Sequence, residues 1–104
     1  MPIDMGKSRR EGMRWYILLA LHRGEPVGCG DTMLRDIMDD IYDSVTPSEL
    51  QQQLNYLERC SLVTIERSPL NKWHGKLTAA GIDFVEYVSD DRKGIKRPKP
   101  AASW

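Results

Sequence analysis

Between Thr46 and Cys60, five side chains with hydrogen-bonding ends cluster in one short stretch: Ser48, Gln51, Gln52, Asn55 and Arg59. Asn and Gln amides pair bidentately with adenine edges and Arg with guanine, so the set suits reading bases in duplex DNA. Just downstream come Arg67, Lys72, His74 and Lys76. With Thr46 and Tyr56 they supply the cationic and hydroxyl groups that hold phosphates. Both groups also have plainer uses. An amide-rich face serves equally as the solvated side of an amphipathic helix, and lysines keep an exposed strand from aggregating.

Other chemistry is not expected. No Ser/His/Asp or Cys/His pattern, glycine-rich phosphate loop or His-Glu cluster is present, so neither a catalytic residue nor a cofactor is assigned. Cys29 and Cys60 are isolated from each other and from His22 and His74. A structural metal needs closely spaced ligand pairs, so no metal site is assigned. Both cysteines are expected as thiols, Cys29 in a loop and Cys60 part-buried.

The elements that must carry these residues follow from periodicity. Thr46-Pro47-Ser48-Glu49 reads as a capping box with proline at the first helical position. The helix behind it has Leu50, Leu54 and Leu57 as an inner stripe. At about 100° per residue, Ser48, Gln52, Asn55 and Arg59 point away from that stripe, with Gln51 and Tyr56 flanking. Leu62 to Arg67 and Lys72 to Leu77 alternate around the turn Ser68-Pro69-Leu70-Asn71, which predicts a β-hairpin over 62–77. Trp73 and Leu77 are expected on one face of its return strand, with Lys72, His74 and Lys76 on the other.

Upstream, Ser8 and Glu11 suggest a capping box for a first helix that Gly24 and Pro26 stop. That helix is apolar all round from Trp15 to Leu21, as expected of one buried on more than one face. A second helix over 31–43 starts at Asp31 or Thr32 and carries Asp36, Asp39, Asp40 and Asp43 outside. Thr78 caps a last helix running to about Ser89. The chain is expected to divide into a disordered N-terminus (1–7), one domain (8–90) and a basic, flexible tail (91–104).

The 104 residues carry no net charge, yet the charges are segregated. Residues 31–60 hold two basic and seven acidic side chains, and residues 91–104 hold five and one. Asymmetry of this kind bears on partners more than the sum does. Lys7, Arg9, Arg10, Arg14 and the tail cations are further candidates for phosphate contact, or simply solvate the ends. The acidic helix either turns away from DNA, docks a basic protein, or is a solvated face. The longest apolar run, Trp15 to Leu21, falls short of the roughly 20 residues a membrane span needs. With no secretory leader in view, a cytoplasmic protein with no membrane partner is expected.

The order helix, helix, helix, hairpin, helix resembles the winged helix-turn-helix superfamily, a mainly α (α+β) fold. Leu54-Asn55-Tyr56-Leu57-Glu58-Arg59-Cys60-Ser61-Leu62-Val63 is similar to the Leu-x-x-Leu-Glu-x-x-Gly-Leu-Val pattern of bacterial MarR, PadR and ArsR-like regulators, with Ser61 where glycine is usual. Lys76-Leu77-Thr78-Ala79-Ala80-Gly81-Ile82 is similar to their Leu-Thr-x-x-Gly lead into the last helix. The small size and the tail Gly94-Ile95-Lys96-Arg97-Pro98 also resemble small winged-helix proteins of Mu-like phages. The resemblance implies a third helix in the major groove and a hairpin wing on the backbone. The ArsR-type cysteine motif is absent, so metal sensing is not implied. The expected function is a homodimeric, sequence-specific transcriptional regulator. Its expected interface, on the first and last helices, includes Trp15, Leu18, Leu19, Phe84 and Val88. The alternative is a protein-interaction module that docks through the acidic helix 31–43.

Overall fold

The computed structural model describes residues 4–100. The elements are α1 (Met5–Arg23), β1 (Cys29–Gly30), α2 (Asp31–Tyr42), α3 (Pro47–Arg59), β2 (Val63–Arg67), β3 (Trp73–Leu77) and α4 (Ala79–Val85). Together they form an α+β domain of four helices and an antiparallel sheet in the order β1-β3-β2. The added strand β1 pairs Cys29 with Gly75 and Gly30 with His74. Two residues inside a turn-rich loop show no alternation, so periodicity does not reveal them. Cys29 is therefore buried in a sheet, not free in a loop. Gly28 makes the approach possible: its φ is +85°, and a Cβ there would overlap the Gly75 carbonyl.

One core joins all four helices to the sheet. Ile17, Leu18 and Leu21 of α1, Leu34 and Met38 of α2, and Leu50, Leu54 and Leu57 of α3 are almost wholly buried. Leu62, Val63, Leu77 and Phe84 complete it. Two helix ends explain parts of the sequence pattern. After α3, Leu62 N–H donates to Leu57 O and Ser61 N–H to Glu58 O, with Ser61 left-handed at φ 62°. This is a Schellman turn, whose left-handed position glycine fills most easily. At Gly81, a Cβ would collide with the Leu62 carbonyl, so glycine lets α4 seat against the start of β2.

Four expectations change. First, α1 begins at Met5, four residues earlier than a Ser8 cap would start it: Asp4 is the cap, its Oδ1 accepting from Lys7 N–H at 2.9 Å. Residues 4–7 of the expected disordered N-terminus are thus cap and first turn, while 1–3 lie outside the described residues. Second, Gly30 is the N-cap of α2, and the Asp31 carboxylate instead accepts from Trp73 N–H at 2.9 Å. Third, α4 stops at Val85 in another Schellman turn, with Val88 N–H on Asp83 O and Tyr87 at φ 62°.

Fourth, residues 91–100 of the tail lie against the body. Ile95 is buried among core side chains. Arg97 donates to Phe84 O and Ser89 O, each at 3.0 Å, and its guanidinium lies 4.6 Å from both the Phe84 and Tyr87 rings. It ties the last turn of α4 and the residues that follow it to the tail. Tyr87 O–H donates to Pro98 O at 2.6 Å, and Lys96 N–H to Glu11 O at 3.1 Å. Composition marks the tail as polar, yet buried Ile95, Arg97 and hydrogen bonds to its main chain hold it against the body. The remainder, 101–104, lies outside the described residues.

This docking alters the expected dimer surface. Trp15, Leu18 and Phe84 are buried within the chain itself, Trp15 with its ring edge-on to Phe84 and Tyr87. Leu19 is half-buried and Val88 is exposed. On those sides α1 is covered within the chain by α4 and the tail.

Candidate nucleic-acid interface

Helix α3 owes its start to Thr46, whose Oγ1 accepts from Glu49 N–H at 3.0 Å. The reciprocal half of the capping box is replaced. The Glu49 carboxylate receives Arg9 Nε at 2.6 Å and Nη2 at 3.0 Å, while Arg9 Nη1 and Nη2 also donate to Tyr42 O and Asp43 O. One arginine of α1 thereby ties the end of α2 to the start of α3. The Glu49 hydrogen bond raises the Arg9 pKa above its ordinary value. Arg9 is a strut, its guanidinium engaged by acceptors within the chain.

Arg14 is a second strut. Its Nε donates to Gln53 Oε1 at 2.9 Å, its Nη1 to Gly94 O at 2.8 Å, and its guanidinium lies 3.5 Å from the centre of the Tyr56 ring. Burial lowers its pKa. Gln53, the buried polar side chain of the core, is part of α3 that the outward-face reading passes over. Tyr56, expected on the DNA backbone, is half-buried here between Arg14 and the tail, and its O–H reaches Lys93 O at 3.4 Å.

The hairpin is locked to the opposite flank of α3. Arg67 donates to Glu58 Oε1 at 2.8 Å and to Asn55 Oδ1 at 3.0 Å, and its guanidinium lies 4.5 Å from the Trp73 ring centre. That bond lowers the Glu58 pKa and raises that of Arg67. Arg67 and Asn55, assigned to backbone and base, are thus engaged with each other.

Strand register separates the remaining cations. Val63 faces Leu77, Ile65 faces Gly75 and Arg67 faces Trp73 on the inner side of the sheet. Thr64–Lys76 and Glu66–His74 are the alternate pairs, so His74 and Lys76 lie on the outer side, away from α3. His74 Nε2 also sits 2.7 Å from Val27 O. Lys72 precedes β3 and belongs to the turn. It lines a notch of about 330 Å³ together with Asn71, Arg35 at the start of α2, and Pro47 and Gln51 of α3.

The structure therefore gathers Thr46, Ser48, Gln51 and Gln52 at the first turns of α3, with Lys72 opposite Gln51 across the notch. Arg59 is exposed at the far end of the helix. Arg35 is the residue that sequence reasoning missed, because it sits in an acidic helix. About 100° per residue places Asp36 and Asp40 roughly 100° and 140° around α2 from Arg35, off the notch. Asp31 does line it, with one carboxylate oxygen on Trp73 N–H. Among the described residues no His, Cys, Asp and Glu cluster has the makings of a metal site. Nor is any described helix long and apolar enough to cross a membrane.

No known family model matches the chain, and no curated protein matches it in sequence.

Proposed function

We propose that this chain is a winged helix-turn-helix protein that binds double-stranded DNA as a transcriptional regulator. The first turns of α3 enter the major groove, where recognition helices place their N-terminal residues on base edges. Gln51 and Gln52 read bases, Thr46 and Ser48 meet the groove wall, and the β2–β3 turn acts as the wing. The observation that carries this reading is the notch, where the amide of Gln51 stands beside two cations, Arg35 and Lys72, from flanking elements. Phosphate contacts orient such a helix and base contacts give it sequence preference. On this reading the protein works in the cytoplasm.

The test is a fluorescence-polarisation titration with random duplex DNA at low and moderate salt. Binding that weakens steeply with salt is the expected result. No binding at low salt refutes the reading. Gln52→Ala is expected to change the preference among sequences, with the salt dependence kept.

A second reading has its own observation. Asp36 and Asp40 are exposed on α2 beside Met33, which is 62% exposed. A basic protein partner docking there would leave DNA binding absent and would be lost on Asp36→Lys.

A further inference from the structure

We propose, resting on the DNA-binding reading, that the tip of the β2–β3 turn is an apolar wedge that bends the duplex. Leu70 enters the minor groove beside the strand held in the notch and parts two stacked base pairs. It is 81% exposed, more than any other large apolar side chain among the described residues. Pro69 precedes it, and residues 68–71 carry no charge. A tip without cations gains no charge attraction from phosphates, whereas leucine and proline are side chains that wedge between base steps.

The tip is held in shape before it meets anything. Asn71 N–H donates to Ser68 O at 3.0 Å, and Ser68 N–H to Lys72 O at 2.9 Å. Ser68 Oγ accepts from the N–H groups of Leu70 and Lys72, each at 3.3 Å. Pro69 fixes its own φ, and Asn71 closes the turn in the left-handed region at φ 59°. A wedge must push into a stack without folding back, and a turn ordered in advance loses little freedom in doing so.

The notch decides which groove the tip meets. Pro47 and Gln51 of α3 line one side of it, and Leu70, Asn71 and Lys72 of the turn line the other. A phosphate strand seated there between Arg35 and Lys72 has α3 on one side and the tip on the other. The two sides of one strand are the major and the minor groove. With α3 in the major groove, Leu70 meets the minor groove. There the Asn71 amide can donate to the acceptors that A·T pairs present, and pyrimidine–purine steps such as TA unstack most easily. The ligand class is thus duplex DNA with a flexible, A·T-rich step next to the groove that α3 reads.

The test is ligase circularisation of random-sequence duplexes of about 100 bp, which are stiff because they are shorter than the ~150 bp persistence length. The full chain is expected to raise the yield of circles about tenfold or more, since elastic cost dominates closure at this length. Leu70→Met, which keeps an apolar tip, is expected to retain the gain. Leu70→Ser is expected to lose it and to weaken binding in polarisation titrations, with the salt slope kept because no charge is removed. Position 70 is exposed, so both variants are expected to keep the parent circular dichroism. Salt-dependent binding without a gain in circles, or a gain that Leu70→Ser retains, would overturn the wedge and leave the DNA-binding reading standing. No binding at low salt would refute both.

Discussion

Replacing Arg14 by Met keeps most of the side-chain stem and removes the guanidinium that joins α1, α3 and the tail. The buried Gln53 Oε1 then loses its donor, which costs about 1–3 kcal/mol for an unsatisfied buried acceptor. The stacked contact with Tyr56 is worth a further ~0.5–1 kcal/mol. The bond to Gly94 O contributes about 1 kcal/mol at most, since water can replace it. Relief of a desolvated cation works in the opposite direction, in keeping with the lowered Arg14 pKa. The net expectation is a loss of ~2–3 kcal/mol. For a domain of this size that is a fall in Tm of about 10–20 °C. Thermal melts by circular dichroism measure it, and hydrogen exchange over 92–98 is expected to show faster exchange in the variant. Adding Gln53→Leu removes the stranded acceptor, so the double variant is expected to recover part of the loss. A Tm within about 2 °C of the parent would correspond to under ~0.5 kcal/mol and would refute the strut.

Three further outcomes are expected. Arg35→Gln with Lys72→Gln should lower the slope of log affinity for DNA against log salt by about 1.8, two phosphates at ~0.9 each, whereas Lys76→Gln should leave it unchanged. Polarisation titrations check this, and equal effects from Lys72 and Lys76 would contradict the assigned faces of the hairpin. Ser61→Gly relieves a left-handed backbone at the end of α3 and is expected to stabilise by ~0.5–1 kcal/mol after allowing for glycine's extra freedom when unfolded. Urea denaturation reads that change, and a destabilised variant would count against the Schellman account. Because Arg67 holds the Glu58 pKa below its ordinary value, the stability from this tie is present above the ordinary glutamate value and fades as pH falls through the lowered one. A carboxyl chemical-shift titration should show the Glu58 midpoint rising in Arg67→Gln; an unchanged midpoint would exclude Arg67 as the cause.

Much of the candidate face was legible in local pattern. Thr46, Pro47 and the leucine stripe place α3 and its outward amides, because capping and 3.6-residue periodicity are local properties. Which outward residues remain free is not local. Asn55 and Arg67 look like DNA contacts until the hairpin folds beside α3 and they bond to each other. Lys72, His74 and Lys76 share one strand parity, yet Lys72 falls in the turn and the other two on the far side of the sheet. Arg35 was hidden because an acidic helix masks one cation on its edge.

The amino-acid sequence by itself determined the four helices and the hairpin, the Thr46 and Thr78 caps, the leucine core stripe of α3 and the α+β class. These depend on contacts a few residues apart. The tertiary structure decided the third strand, the docking of the tail, and the division of the arginines between struts and a free surface. Those outcomes turn on pairs far apart in the chain, such as Arg14 with Gly94 and Arg9 with Glu49. A guanidinium carries the same charge in either role; only the acceptor that the fold brings to it tells them apart.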